Sequence, residues 1–173
     1  MRPSPAHRRG IWPWIPMAIA AAALGASPDS AVAQEPTADQ EAVIALAHAS
    51  LQAITNEDPV GLTDLMIEGA TFVALAPGGG RPRVTSREQT RARPMSADFA
   101  ERGFDARAHV TGDLATVWMP YDFYTDGEWS HCGVDLFTML RVDGEWLISS
   151  LQYTVEQPPA CSAHPDGPPG APS

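Results

Sequence analysis

The sequence predicts an α+β fold in which three N-terminal helices pack on a curved antiparallel β-sheet. Apolar residues recur at helical spacing after Thr37, whereas long alternating runs take over from Phe104 onward. Three tight glycine turns, Thr111-Gly112-Asp113, Asp126-Gly127 and Asp143-Gly144, divide those runs. The turns therefore join four strands into a meander.

The first two helices have recognisable start signals. Thr37 and Gln40 form a capping box, so a first helix is expected from about residue 38 to residue 56. Asp58-Pro59 begins a second helix, which Gly69 ends.

A short strand and a third helix follow. Thr71 to Leu75 is rich in strand-forming residues, and the Pro-Gly-Gly-Gly run at 77–80 ends it. Ser86 and Gln89 form a second capping box, which opens a short helix. The glycine run and the arginines behind it also allow an anion-binding interpretation. Because the run does not open directly into a helix, a flexible loop is the favoured interpretation.

The N-terminus has the organisation of a secretory signal peptide. A basic start precedes the 14-residue apolar run from Ile11 to Leu24 and the small-residue motif Ala31-Val32-Ala33. The run is too short to span a bilayer, and no cysteine near its end offers a lipid attachment site. We therefore expect a signal peptide at 1–33, a folded domain at 34–157 and a disordered Pro/Gly-rich tail at 158–173. The protein is expected to be exported, periplasmic or secreted, with no membrane anchor.

Composition excludes several classes of function. All 11 basic residues are arginine, which excludes Schiff-base lysines and a Walker phosphate loop. A formal charge of −10 argues against nucleic acid as a partner. The only two cysteines, Cys132 and Cys161, allow at most one disulfide; a buried thiol at 132 and a separate one in the tail is the favoured interpretation.

Counting outward from the last two turns predicts a cluster of ionisable groups on one sheet face. The count places Asp122 opposite His131, Trp118 opposite Asp135, and Asp135 opposite Gln152. His131, Asp122 and Asp135 are the predicted catalytic residues, since an imidazole between carboxylates suits proton transfer. The alternative is a structural cross-strand ion pair.

Three carboxylates are expected to surround His131, namely Asp122, Asp135 and Glu156. Their negative charge should raise the pKa of His131 above its usual value, against the opposing effect of burial. A bulge in any strand would exchange some of these face assignments, and Gly133 is a candidate position for one.

The same face predicts a ligand-binding surface. Trp118, Tyr124 and Gln152 lie on it, and His48 beside the apolar stripe of the first helix can line a cavity mouth. The aromatic residues fit a dimer interface equally well. Because both sheet faces are partly apolar and three helices cover only one, we expect a homodimer. No recognised ligand spacing indicates a metal site.

Three blocks of sequence carry a family resemblance: GDLATVW at 112–118, PYDFYTDGEWSHCGVDLFTMLR at 120–141 and DGEWLISSLQYT at 143–154. With the helices before them, they resemble the nuclear transport factor 2-like superfamily, and more narrowly its exported bacterial members of the nuclear transport factor 2 or lumazine-binding type. This superfamily includes ketosteroid isomerase and the SnoaL-like cyclases. The resemblance implies a cone-shaped scaffold that hosts isomerases, dehydratases and ligand binders.

No catalytic residue of those enzymes can be carried over to this chain, because the first helix lacks the tyrosine of ketosteroid isomerase and no carboxylate base is matched. We therefore expect an exported small-molecule-binding protein without a cofactor, whose ligand is unidentified. The alternative is a cofactor-free isomerase, dehydratase or cyclase that uses a His–carboxylate pair in the cone cavity.

Overall fold

Helices and short strands occupy the first part of the folded unit, and long strands fill the rest. The computed structural model describes residues 35–76, 80–95 and 97–170, which belong to one compact unit. The predicted signal peptide lies outside the described residues. The elements in chain order are α1 (Ala38–Thr55), α2 (Pro59–Asp64), β1 (Met66–Leu75), β2 (Arg83–Ser86), α3 (Arg87–Arg91), β3 (Phe99–Gly103), β4 (Arg107–Thr111), β5 (Leu114–Thr125), β6 (Glu128–Val142) and β7 (Glu145–Thr154).

Both predicted capping boxes are confirmed. Thr37 accepts a hydrogen bond from the Gln40 N–H, and the Gln40 side chain accepts one from the Thr37 N–H at 2.8 Å. Ser86 and Gln89 make the same reciprocal pair at the start of α3. α3 follows β1, as the sequence predicts, but it also follows the unpredicted β2, so the three helices are not all N-terminal to the sheet.

The seven strands form one curved sheet in the order β2-β1-β7-β6-β5-β3, with β4 also pairing with β5. Since β1 runs parallel to β7 while the other pairs are antiparallel, the sheet is mixed and not purely antiparallel as expected. Strands β2 and β3 were not predicted, because Arg83–Ser86 and Phe99–Gly103 are short and lack a regular apolar alternation.

The two predicted hairpin turns are correct at their tips. Thr125 pairs with Glu128 across Asp126-Gly127, and both turn residues have positive φ, 52° and 79°, as a type I′ turn requires. The register changes a few residues further on, where Phe123 pairs with His131 and Ser130 is left as an extra residue.

This bulge moves the predicted partners to opposite faces. Asp122 pairs with Cys132 and not with His131, and Trp118 pairs with Leu136 and not with Asp135. A second bulge, between Thr138 and Met139, places Tyr153 opposite Asp135 in place of Gln152. Both bulges insert one residue, and a shift of one residue reverses the face of every side chain beyond it.

We call the sheet face that α1 and α2 cover the inner face, and the opposite one the outer face. Inner-face side chains of β5 and β6, among them Met119 and Phe137, are fully buried against Leu51 of α1 and Leu62 of α2. Burial of this apolar surface is the main stabilising contribution to the domain.

A C-terminal segment, residues 157–170, follows a defined path and is tied to the sheet. A disulfide joins Cys132 of β6 to Cys161, 29 residues later in sequence, with a Cα–Cα distance of 5.8 Å. The His164 N–H donates to the Asp122 carboxylate at 2.9 Å, and the His164 ring meets Phe104 edge-on. The expectation of two separate thiols is therefore wrong.

Candidate active site

A cavity of about 530 Å³ lies between the inner face and the elements α1 to α3. Much of its wall is apolar, with Phe72, Phe99, Phe123 and Leu151 among the lining side chains. Ionisable side chains also line it: Arg83, Arg93, Glu101, Tyr121, His131, Asp135 and Tyr153. An apolar cavity with a few convergent polar groups is the usual form of a small-molecule site.

Asp135 occupies the centre of the inner face. It lies on β6 between Met119 of β5 and Tyr153 of β7, and only 1% of its surface is exposed. Neither of its carboxyl oxygens has a hydrogen-bond partner among the described residues. Burial, with a contribution from the nearby Glu101 carboxyl, raises the pKa of Asp135 well above its usual value.

Glu101 lines the same cavity from β3. Its backbone N–H donates to Thr55 Oγ1 of α1 at 3.0 Å, which fixes the strand against the helix. Burial raises the pKa of Glu101 to about 8. Because Glu101 also raises the pKa of Asp135, the two carboxyls are close enough to interact. We call Glu101 and Asp135 the carboxyl pair.

Two tyrosines lie beside the carboxyl pair. The Tyr121 hydroxyl donates to the Thr154 carbonyl at 2.7 Å, and burial raises the pKa of Tyr121. The Tyr153 hydroxyl accepts a hydrogen bond from the Arg83 guanidinium at 3.1 Å, and the pKa of Tyr153 is raised mainly by burial. Both phenols are therefore neutral at physiological pH.

His131 completes the ionisable lining, but not as predicted. Its ring stacks on Phe123 at 4.6 Å and meets Tyr121 edge-on at 5.8 Å, with Nδ1 3.1 Å from Ser130 Oγ. Burial lowers the pKa of His131, so the imidazole is neutral near pH 7. The expectation of a raised pKa is wrong, since the Ser130 bulge places Asp122 on the outer face and burial dominates.

Asp122, the third predicted catalytic residue, lies outside the cavity. Its side chain is fully buried on the outer face and forms a two-point ion pair with Arg102, at 3.1 Å and 2.6 Å. The His164 N–H is its third donor. This is the structural ion pair named as the alternative, with Arg102 in place of His131.

None of the predicted ligand-binding side chains lines the cavity. Trp118 on the outer face is 50% exposed, and Tyr124 stacks on Trp129 with ring centroids 6.4 Å apart. Gln152 lies on β7 next to the cavity-lining Tyr153, so its side chain is on the other face, and His48 is exposed on α1. The structure thus brings together two of the seven predicted site residues, His131 and Asp135, in one cavity.

The sequence did not indicate Glu101, Tyr121, Tyr153 or Arg93 as site residues, and Arg83 entered only through the anion-binding interpretation of the glycine run, which was not the favoured one. Tyr121 and Tyr153 lie on the inner face, and the two bulges bring His131 and Asp135 onto that face as well. Nothing in the sequence indicated that Glu101 lines a cavity, because strand β3, which positions it, was not predicted. Within the described part of the chain, no three side chains of His, Cys, Asp or Glu are arranged to hold a metal ion.

Comparison with known proteins identifies the fold. The sequence matches no protein-family model and no curated protein. Among solved structures, an NTF2-like protein of unknown function from Pseudomonas putida KT2440 aligns with a TM-score of 0.57 and 15% identity, over 78% of this chain and 99% of that one. An NTF2-like protein with a cystatin-like fold from Novosphingobium aromaticivorans aligns with a TM-score of 0.57 and 17% identity, over 68% of this chain and 81% of that one.

A third solved structure carries the name of an enzyme. It is a protein from Novosphingobium aromaticivorans DSM 12444 provisionally named scytalone dehydratase, with a TM-score of 0.53 and 14% identity, over 78% of this chain and 95% of that one. At these identities the likeness concerns the fold alone. The resemblance noted in the sequence is confirmed at that level: the chain has the nuclear transport factor 2-like fold.

Proposed function

We propose that the protein is a cofactor-independent enzyme of the dehydratase or isomerase type, in which the carboxyl pair moves protons on a small oxygenated molecule. The observation that carries this proposal is Asp135, a fully buried carboxyl with no hydrogen-bond partner among the described residues, at an apolar cavity beside a second carboxyl. Binding without chemistry, the function favoured from the sequence, remains the second candidate.

The energetic cost of this arrangement favours catalysis over binding alone. A buried polar group without a partner destabilises a protein by about 1 to 3 kcal/mol, and a buried charge costs more. Amide or hydroxyl side chains could supply hydrogen bonds to a ligand at lower cost. Strongly shifted carboxyls in a cavity are typical of sites that transfer protons near neutral pH.

The two carboxyls can act in complementary roles. Once Glu101 has lost its proton, its carboxylate can accept a proton from a carbon next to a carbonyl, while Asp135 remains protonated and faces the substrate oxygen. In a dehydration, the C–H electron pair forms the new C=C bond, the C–O bond breaks, and the leaving hydroxyl takes the Asp135 proton to depart as water. In an isomerisation, Glu101 returns the proton to a different carbon.

The neutral side chains around the pair support these roles. Tyr121 and His131 enclose the site without a positive charge that would lower the pKa of either acid. The solved neighbour named as a scytalone dehydratase is consistent with the dehydratase alternative. His131, proposed from the sequence as the acid or base, would instead help to position the substrate.

Proton abstraction can be measured without the natural substrate. We would incubate the protein with simple cyclic and aryl ketones in D₂O and follow the loss of α-proton signals by NMR. We expect exchange that Glu101→Gln and Asp135→Asn each slow by at least about 100-fold. Glu68→Gln, an exposed glutamate on β1 that does not line the cavity, is the matched control and should exchange like the parent.

Two outcomes would decide against this function. Parent-like exchange in both cavity variants would exclude the carboxyl pair from the chemistry. Ketones that bind, as shown by ligand line broadening, but exchange only at the buffer rate would leave binding without chemistry as the function.

We also propose that the protein is exported and cut before Gln34. The order of basic start, apolar run and small-residue motif supports this, and a disulfide between Cys132 and Cys161 suits an oxidising compartment. No helix among the described residues is long and apolar enough to cross a membrane. Intact mass of the natively expressed protein tests the cleavage; a membrane-bound species that retains residues 1–33 would contradict it.

A homodimer that forms through the outer face is a further part of the proposal. Leu114 is 49% exposed and Trp118 is 50% exposed, and both lie on β5, where they pair with Thr111 and Arg107 of β4. Aromatic residues are enriched in such interfaces. Sedimentation at micromolar concentration should give twice the chain mass, and Trp118→Arg should give a monomer.

A further inference from the structure

Two arginines at the cavity have no acidic partner. Arg83 of β2 and Arg93, which follows α3, line the cavity with exposed side chains. Among the described residues, neither forms an ion pair. By contrast, ion pairs form at Arg91, Arg102 and Arg141, each with a guanidinium nitrogen 2.6 Å from a carboxylate oxygen.

The two arginines stand out against the charge of the whole chain. The protein has 21 Asp and Glu residues against 11 basic ones, yet among the described residues neither Arg83 nor Arg93 lies within ion-pair distance of a carboxylate. The overall negative charge repels anions from the surface in general. Two guanidinium groups without a carboxylate partner at a cavity therefore create a local site to which an anion is attracted.

These cations do not neutralise the carboxyl pair. Burial is the cause of the raised pKa of Glu101, and burial together with Glu101 is the cause for Asp135; neither arginine contributes. Arg83 instead donates a hydrogen bond to the Tyr153 hydroxyl at 3.1 Å, and its charge opposes the burial that raises the pKa of Tyr153. The cavity therefore has two separate polar ends, one cationic and one acidic.

Tyr153 connects the two ends. Its backbone lies opposite Asp135 in the β6–β7 pairing, whereas its hydroxyl reaches Arg83. The Arg83 guanidinium and the backbone of Asp135 thus lie at opposite ends of the Tyr153 side chain. Phe72, Phe99 and Leu151 provide apolar wall in the same cavity.

We propose that the substrate of this site is an amphiphilic carboxylate: its carboxylate binds Arg83 and Arg93, and its apolar body places an oxygenated carbon at the carboxyl pair. The substrate class rests on the proposed function, whereas the anion site itself does not. A guanidinium presents its N–H donors in a planar fork that matches the two oxygens of a carboxylate. The aromatic wall favours a flat ring system as the body.

A matched pair of probes separates charge from shape. 2-Naphthoate and 2-naphthamide have nearly the same size, and only the first is an anion. Calorimetric titration should show the parent protein binding naphthoate at least about tenfold more tightly than naphthamide, since a charge-assisted hydrogen bond is about twice as strong as a neutral one. The methyl group of Met95, which lines the cavity, should shift in NMR spectra with either probe and so place the binding there.

The arginine variants test the assignment directly. Arg83→Gln and Arg93→Gln should each reduce the preference for naphthoate, and the double variant should remove it while naphthamide binding stays unchanged. Glutamine retains a donor for the Tyr153 hydroxyl, so these variants are expected to fold. Arg107→Gln, an exposed arginine of β4 outside the cavity, is the matched control and should keep the preference.

Three results would overturn the inference: equal affinity of the parent for the two probes, a preference that survives in the double variant, or no binding of either probe at millimolar concentration. None of these depends on catalysis. If naphthoate is preferred but the ketone exchange is absent, the proposed function fails and the anion site stands. If the exchange is present without a preference for naphthoate, the anion site fails and the function stands.

Discussion

Two buried aspartates on neighbouring strands show how the two faces of this sheet differ. Asp122 and Asp135 are 0% and 1% exposed. Asp122, on the outer face, receives two hydrogen bonds from Arg102 and a third from the His164 backbone. Asp135, on the inner face, receives none from the described residues, and the acid Glu101 adds to the burial that raises its pKa.

The difference separates a structural role from a functional one. A buried carboxylate with an ion pair and a full set of donors stabilises a particular arrangement of the chain, here the attachment of the C-terminal segment to the sheet. A buried carboxyl without hydrogen-bond donors destabilises the fold. Its presence is best explained by a role in proton transfer to a bound ligand. The same substitution at both positions should therefore have opposite effects.

The largest effect is expected from Asp122→Leu. It leaves the Arg102 guanidinium, whose side chain is 22% exposed, without its carboxylate, and it removes the acceptor for His164. Loss of one partner of a buried pair costs about 3 to 5 kcal/mol, which urea unfolding would measure. The Asp122→Leu/Arg102→Met double variant should recover much of this loss; a single variant within 1 kcal/mol of the parent would contradict the structural role.

Removal of the disulfide should come next. Cys132 and Cys161 are 29 residues apart, and closing a loop of that size stabilises a protein by about 3 to 4 kcal/mol through the unfolded state. The Cys132→Ala/Cys161→Ala variant should lose about that free energy of unfolding. Its cavity lies on the other face, so naphthoate affinity should not change. A shifted affinity would mean that the two faces are coupled.

The features that the sequence predicts correctly are those that depend on neighbouring residues. The capping boxes at Thr37 and Ser86 and the turn at Asp126-Gly127 follow from local chemistry, and each was found where expected. The site depends on register, which the Ser130 bulge shifts by one residue. Serine carries no signal that distinguishes a bulge from an ordinary strand position.

Asp135→Leu should stabilise the protein. Leucine has a similar branched shape, and it removes a buried polar group that has no partner among the described residues. We expect a gain of about 1 to 3 kcal/mol in the free energy of unfolding, together with loss of ketone exchange. A loss of stability comparable to that of Asp122→Leu would show that Asp135 is held by interactions that its geometry does not show.

The carboxyl pair should also give stability a pH dependence. The pKa of Glu101 is raised from 4.5 to about 8, so the folded state binds its proton more tightly than the unfolded state does. This contribution is complete below the unfolded pKa and is lost as pH rises through about 8. The free energy of unfolding should fall by at most about 1.4 kcal/mol per pH unit for this proton. Urea unfolding of Glu101→Gln should show a shallower slope, and an unchanged slope would exclude Glu101 as its source.

The smallest expected effect is a shift in the titration of one histidine. Burial lowers the pKa of His131 below the usual 6.5, and Asp122 lies on the other face with its charge matched by Arg102. An NMR titration of the His131 ring should therefore give a value below 6.5, unmoved by Asp122→Asn. Because the folded pKa is depressed, the neutral ring contributes stability that is lost as pH falls through the unfolded value. A raised pKa that drops in Asp122→Asn would mean that the strands pair without the Ser130 bulge. His131, Asp135 and Asp122 would then lie on the same sheet face, and the contrast between the two aspartates would be lost.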